Sequence, residues 1–171
     1  LLLSSCQTHE KKNKLYEEGI SLELAQLRKQ EIKELKYGLS FSIPKQKQEA
    51  VEGEARISFL LQRPQEIILD FRESADKIKE VSVNGQPSEY TFLNEHLVLP
   101  EASTIEGKNE VHICFTAGDQ SLNRNEEYLY TLLVPDRART VFPCFEQPNL
   151  KAEFTLQLEV PAEWEAVSNS S

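Results

Sequence analysis

The residues that could bind a metal in this chain are its histidines and cysteines: His9, His96, His112, Cys6, Cys114 and Cys144. No histidine has a second histidine or cysteine at the spacing of a zinc motif, and no His-Glu-x-x-His sequence occurs. His112 and Cys114 are two residues apart, so in a strand they share one face. Because two ligands do not complete a site, we interpret this pair as outward-facing strand residues. The sequence therefore predicts no metal site in this chain.

Motifs of nucleophilic and phosphate chemistry are also missing from the sequence. Its six glycines are scattered rather than grouped in a phosphate-binding loop, and no Gly-x-Ser-x-Gly sequence occurs. Lys and Arg number 19 against 28 Asp and Glu, which gives a net charge of -9. An acidic surface repels phosphate backbones. We therefore expect no catalytic residue in these 171 residues and no nucleic-acid partner.

The cysteines leave two interpretations open. If Cys6 carries a lipid, Cys114 and Cys144 remain and could form a disulfide in an oxidising compartment. The alternative is two unpaired thiols, because a free cysteine packs as a small hydrophobe. Cys144 lies between Pro143 and Phe145, an apolar setting that favours the thiols.

The first six residues, Leu-Leu-Leu-Ser-Ser-Cys, resemble the end of a secretory signal peptide with the lipobox of a bacterial lipoprotein. This predicts that residues 1–6 are a signal-peptide remnant, that Cys6 is lipidated, and that polar residues 7–19 form a tether. The alternative is an apolar start to an ordinary chain. We expect an exported protein of the cell envelope, in the periplasm or at the outer membrane, that meets the membrane only through its lipid anchor. Since the chain has no methionine, we also expect a piece of a longer reading frame.

One helix and a series of strands are predicted after the tether. Ile20, Leu24 and Leu27 lie on one helical face over residues 21–30, with Ser21 as the N-cap and Arg28 away from that face. From Tyr37 onward the apolar period becomes two, and Asn-Gly at 84–85 is a strong hairpin signal. The pattern predicts about eight short strands, the last carrying an apolar face of Phe154, Leu156, Leu158 and Val160. We therefore predict an all-β fold, an antiparallel β-sandwich spanning residues 20–171 with one short N-terminal helix.

One stretch is too unusual to be generic, and we call residues 136–154 the signature segment. It reads DRARTVFPCFEQPNLKAEF and resembles the A-R-x-x-F-P-C-F-D-E-P-x-x-K-A-x-F pattern of the aminopeptidase N family of zinc metallopeptidases. The residues that match and that we assign a structural role are Arg139, Phe142, Pro143, Cys144, Phe145 and Pro148. Glu146-Gln147 stands where the family usually has Asp-Glu. The similarity extends over about residues 32–169 in the order of strands and turns.

The resemblance implies the non-catalytic, saddle-like N-terminal domain of an exported zinc aminopeptidase that trims peptides. In that family the zinc ligands and the catalytic glutamate belong to the following domain. The zinc cofactor is therefore expected outside this chain, which would be inactive alone. The implied partners are the enzyme's own catalytic domain and, in the full-length protein, the peptide substrate, whose cleft this domain helps to form.

The resemblance also implies two substrate-binding residues, Val134 and Pro135. Five residues before its signature arginine, the family has a Glu or Gln that binds the substrate's free amine. Here that position is Val134, which cannot accept a hydrogen bond from an ammonium group. Other residues could supply the charge, the first-residue pocket could be more apolar, or the activity could be lost.

Arg139 has two interpretations of its own. It could hold the signature segment in shape by pairing with Asp136 or Glu146, and a bidentate clamp would explain a need for arginine. The alternative is an exposed pair worth about 0 to 1 kcal/mol. Nearby Phe142 and Phe145 favour the buried pair.

Two other functions compete with the peptidase domain. One is a free-standing β-sandwich binding module of a surface lipoprotein, and the other is a domain of a scaffold paralogue that has lost its zinc. The reading frame beyond residue 171 separates them, because a peptidase requires His-Glu-x-x-His there.

Overall fold

Alternating apolar residues form strands through most of the chain in the computed structural model, which describes residues 14–168. The helix α1 (Leu22–Glu31) comes before the strands. Within the described range the strands are β1 (Lys33–Ser42), β2 (Glu52–Leu61), β3 (Ile67–Asp70), β4 (Ile78–Val83), β5 (Gln86–Pro87), β6 (Thr91–Leu93), β7 (His96–Leu99), β8 (Gly107–Thr116), β9 (Leu122–Arg124), β10 (Leu129–Thr131) and β11 (Glu153–Glu159).

The larger sheet has the strand order β11-β1-β2-β8-β4-β5. All of its neighbours are antiparallel except β11, which runs parallel to β1. The alternation in β1, β2 and β8 gives this sheet one buried face, on which Ala55, Ile57, Val111, Ile113 and Phe115 are fully enclosed. That face forms one side of the core.

A second sheet, β3-β7-β6, covers this core, and β9 and β10 form a small separate pair. Every residue of strands β3 and β7 is buried, without alternation, because both faces of these strands are covered. Ile67 and Leu69 belong to the main core, whereas Ile68 and Val98 pack with Leu24 of α1. The order of layers is therefore large sheet, small sheet, helix.

This architecture confirms the predicted all-β antiparallel sandwich with one short N-terminal helix. The predicted N-cap is confirmed, since Ser21 Oγ accepts the Leu24 N–H at 3.1 Å. The predicted hairpin is also confirmed: β4 and β5 join at Asn84 and Gly85, whose φ angles of 53° and 77° suit a tight two-residue turn.

Two parts of the sequence interpretation were wrong. Arg28 was assigned away from the apolar helical face, but its side chain is only 3% exposed, because it forms an ion pair inside the protein. The last strand was predicted to bury one face, yet Phe154 and Leu156 remain 60% and 44% exposed. The strand β11 lies at the sheet edge, where these two side chains stay exposed although one face of the Phe154 ring stacks on Tyr37.

Several predictions concern residues outside the described range. The lipobox with Cys6 and most of the tether precede residue 14, so the proposed lipidation is untested. Among residues 14–168, no helix is long and apolar enough to cross a membrane.

We predict that Gly53→Ala destabilises the fold by about 1–3 kcal/mol through overpacking. A Cβ at Gly53 would lie 2.6 Å from Cε2 of the Phe115 ring, which is packed between Phe41 and Phe71. The matched control is Gly38→Ala, where the nearest atom, Arg56 Cβ, is 3.7 Å away. Urea denaturation should place the control within about 1 kcal/mol of the wild type. Equal effects at both glycines would contradict the close packing at Gly53.

Candidate functional site

The signature segment is attached to the small sheet through its backbone. Asp70 and Cys144 exchange two hydrogen bonds, N–H to O, of 2.7 and 3.0 Å, as an isolated antiparallel bridge. The Arg72 N–H also donates to the Arg139 carbonyl at 2.7 Å. The part of the segment around Arg139 and Cys144 therefore extends the end of β3, whereas its last two residues, Glu153 and Phe154, begin β11 of the large sheet.

The buried carboxylate of Asp70 fixes the same region through side chains. Both of its oxygens accept hydrogen bonds from the Arg28 guanidinium, each 2.7 Å long. His96 Nδ1 lies 2.9 Å from Oδ1, and the Glu146 N–H donates to Oδ2 at 2.9 Å. Helix α1, strands β3 and β7, and the signature segment thus meet at one carboxylate.

Electrostatics keep Asp70 ionised despite its complete burial. Burial acts to raise the pKa of its carboxyl, but Arg28, His96 and the Glu146 N–H outweigh burial. The pKa of Asp70 therefore lies below its ordinary value. Arg28 and Asp70 therefore form an ion pair at neutral pH. Losing one of the two residues would leave the other charge buried and uncompensated.

Arg139 is also buried, with a side chain that is 6% exposed. Its Nη1 donates to Glu95 at 2.6 Å and its Nη2 to Asp136 at 2.9 Å. The expected pairing with Asp136 is confirmed. Glu146 instead accepts the backbone N–H of Arg139 at 2.8 Å. The guanidinium therefore joins two different carboxylates rather than forming a bidentate clamp on one.

The centre of the signature segment is part of the core. Phe142, Pro143, Cys144 and Phe145 are all buried. Phe145 makes an edge contact with the ring of Phe59, and its N–H donates to the Tyr37 hydroxyl at 2.9 Å. Pro148, in contrast, is exposed. Phe142 and Phe145 therefore act in packing.

Cys114 and Cys144 are both free thiols, so the disulfide alternative is wrong. Cys144 is buried, as the thiol interpretation expected. Its burial first, and then the carboxylates of Glu146 and Asp70, raise the pKa of its thiol well above the ordinary value. Cys144 is therefore an inert packing residue.

An open groove of about 890 Å³ runs beside the signature segment. Ala25 of α1 and Tyr37 of β1 contribute to its lining, and most other lining residues lie between 133 and 154. Val134 and Pro135 are among them, and Val134 is 84% exposed. The two residues predicted to bind substrate are therefore accessible from the groove.

The acids of the groove can bind or orient a cation, but they are not grouped as metal ligands. Asp136 and Glu146 both line it. Burial is the main cause that raises the pKa of Glu146 above its ordinary value. In residues 14–168, the one group of three metal-ligand side chains lies elsewhere, on the outer face of the large sheet. The groove by itself can hold a ligand and position a charge.

The fold and its groove define an all-β sandwich domain with an accessible binding surface. The chain belongs to the family of Peptidase M1 N-terminal domains, whose family model matches residues 33–171. A curated relative, aminopeptidase N of Streptomyces lividans, is 34% identical over 109 residues, or 56% of this chain. The chain spans only 12% of that relative's length.

Solved structures share the fold at low sequence identity. Leukotriene A4 hydrolase of Saccharomyces cerevisiae has a TM-score of 0.62 at 20% identity, covering 75% of this chain and 23% of the hydrolase. A mutant M1 zinc metallopeptidase of Deinococcus radiodurans, bound to a Tyr-Ser-Ala substrate, has a TM-score of 0.56 at 19% identity. That match covers 75% of this chain and 32% of the other.

Sequence reasoning missed three residues that organise the site: Arg28, Asp70 and Glu95. Asp70 carried a signal, since an acid directly after the apolar run at 67–69 ends a buried strand. A buried acid requires a cation. Because α1 packs on the small sheet, Arg28 is the helical residue that lies beside Asp70. Glu95 has no comparable signal, because its contact with Arg139 spans 44 positions.

We predict that Asp70→Asn destabilises the chain by about 3–5 kcal/mol, because Arg28 would remain buried without its counter-ion. The matched control is Glu153→Gln, which removes an acid from the exposed pair with Lys36. That control should leave the free energy of unfolding almost unchanged, because an exposed ion pair contributes little. Denaturant titrations of both variants measure the difference.

The effect of Asp70 should also depend on pH. Because the folded pKa is lower than the ordinary value of 3.8, the pair stabilises the folded chain above that value. The stabilisation is lost as pH falls through the folded pKa. The stability gap between wild type and Asp70→Asn should be constant from neutral pH to about pH 5 and shrink below about pH 4. A gap that is unchanged at about pH 2 would contradict an ionised Asp70.

Proposed function

We propose that this chain is the non-catalytic N-terminal domain of an exported zinc aminopeptidase that removes N-terminal residues from peptides. The family membership and the curated aminopeptidase N relative support this proposal. The observation that carries it is the signature segment, whose centre is buried in the core and whose residues line an open groove. A segment held rigidly by the core can present its outer residues at a fixed position to a neighbouring domain.

The exposed apolar residues beside the groove support docking on a catalytic domain. Leu132, Val134, Phe154 and Leu156 are all exposed, and Phe154 stacks on the Tyr37 ring with centroids 4.7 Å apart. Apolar residues grouped on one surface mark an interaction site. In the proposed enzyme this surface meets the catalytic domain, and the uncovered part of the groove forms one wall of the substrate cleft.

Val134 and Pro135 are proposed to contact the first residue of the peptide. Valine offers a methyl surface but no acceptor, so the peptide's ammonium group requires another partner. Asp136 is the acid nearest in sequence, and it lines the same groove with a side chain that is 52% exposed. We infer that Asp136 supplies the hydrogen-bond acceptor for the ammonium group that the family obtains from a Glu or Gln at position 134.

The zinc of the proposed enzyme belongs to the catalytic domain. The described residues of the groove offer no group of three metal-ligand side chains, so they do not fit a catalytic zinc ion. In its own domain, a bound zinc ion would supply polarisation of the scissile carbonyl and activation of water. The proposed role of this chain is to bind and orient the peptide.

We further propose that the protein is exported and anchored by a lipid on Cys6. The support is the sequence Leu-Ser-Ser-Cys near the N-terminus, followed by a polar stretch. Export to the cell envelope would place the peptidase where it meets peptides outside the cytoplasm.

The proposal is tested on the full-length protein, with this chain and the segment that follows it. We expect zinc-dependent release of the first residue from peptides with a free amine, and no release from the same peptides after N-acetylation. A chelator should abolish the release and added zinc should restore it. A full-length protein that carries zinc yet cleaves neither peptide would contradict the proposed function.

We predict that Val134→Glu in the full-length enzyme lowers the KM for small free-amine substrates by about tenfold. A charge-assisted hydrogen bond to the ammonium group contributes about 1.5–3 kcal/mol, and tenfold corresponds to about 1.4 kcal/mol. Steady-state kinetics with an aminoacyl anilide measure KM and kcat separately.

The matched control is Leu132→Glu, which adds the same charge two positions away. Leu132 is exposed but is not among the groove-lining residues. Its KM should stay within about twofold of the wild type, because a carboxylate outside the groove makes no hydrogen bond to the substrate amine and its exposed charge is partly screened. An unchanged KM for Val134→Glu would count against a contact between position 134 and the substrate amine.

A further inference from the structure

The outer face of the large sheet carries a compact group of three side chains: Glu54, His112 and Cys114. Their ligand atoms all lie within 4.8 Å of one another. His112 Nε2 is 3.4 Å from Glu54 Oε2 and 3.9 Å from Cys114 Sγ. The group lies on the face of the large sheet opposite the core, and none of the three residues lines the groove.

The two separations that involve His112, 3.4 and 3.9 Å, are close to those of ligands around one tetrahedral ion. Bonds of about 2.0–2.3 Å at tetrahedral angles place two ligand atoms roughly 3.3–3.8 Å apart. The imidazole, the thiolate and a carboxylate are the three ligand types that zinc accepts. The sequence alone indicated only His112 and Cys114 as neighbours, because Glu54 is 58 positions from His112 in the chain.

The sheet holds the three side chains in place. Glu54 of β2 is directly opposite Cys114 of β8, and His112 lies two residues along β8 on the same face. The residues between them, Ala55 and Ile113, are fully buried and fix the register of both strands. A site built on paired strands needs little ordering when an ion binds.

A second carboxylate borders the group from the other side. Glu80 of β4 is directly opposite Cys114 in the pairing of β4 with β8. The carboxylates of Glu54 and Glu80 therefore flank the thiol from the two neighbouring strands, and their negative charge attracts a cation.

We propose that Glu54, His112 and Cys114 bind a divalent cation of the zinc class, with Glu80 or water as the fourth ligand. This site differs from the catalytic zinc of the proposed enzyme, since all its ligands belong to the sandwich. An ion bound to these ligands would link β2 to β8 on the outer face of the sheet, as the buried residues link the two strands on the core face.

Cobalt(II) is the probe that tests the proposal, because a thiolate bound to Co²⁺ gives a charge-transfer band in the near ultraviolet. Titrating the full chain with Co²⁺ should produce this band with one equivalent per chain, and Zn²⁺ should displace it. The readout is independent of peptidase activity, so it does not depend on the proposed function. If the wild-type chain gives no band with millimolar Co²⁺, the proposal is overturned.

Variants assign the band to these side chains. Cys114→Ser should abolish it, while His112→Asn and Glu54→Gln should each weaken Co²⁺ binding by at least about tenfold. The matched control is Glu110→Gln, which removes an exposed acid from the same face of β8, outside the ligand group. The control should keep wild-type affinity. A band that survives in Cys114→Ser would come from another thiol and would overturn the site.

Discussion

A fully buried carboxylate, Asp70, is the constraint on which the groove depends. It binds Arg28 of α1 through both oxygens, lies against His96 of β7, and accepts the backbone N–H of Glu146. Burying a charge is tolerable only when its hydrogen-bonding capacity is used, so the four elements must meet in one arrangement. The helix, the small sheet and the signature segment are therefore positioned together. Arg139 adds a second buried charge, whose guanidinium donates hydrogen bonds to Glu95 and Asp136.

This constraint divides the signature segment into an inner and an outer part. The inner aromatic residues, Phe142 and Phe145, pack in the core and fix the path of the backbone. The outer residues, among them Pro148, are exposed, as is Val134 just before the segment. A rigid interior with a free outer surface suits a domain that shapes a cleft for a neighbouring catalytic domain.

The sequence predicted the features that depend on neighbouring residues. The Asn84 hairpin, the Ser21 cap and the alternating strands follow from local geometry, and the signature segment identified the family. Contacts between distant positions were not predictable in the same way. The Arg28 ion pair, the edge position of β11 and the meeting of Glu54 with His112 all depend on the order of strands and layers, which periodicity does not specify.

Hydrogen exchange of backbone amides tests most directly whether Asp70 holds the signature segment. The amides of Cys144 and Glu146 donate to Asp70, and the amide of Phe145 donates to Tyr37. We expect these amides to exchange only when the whole domain unfolds, while the exposed Val134 amide exchanges far faster. Exchange of Glu146 as rapid as that of Val134 would contradict it, because the segment would then open independently of the core.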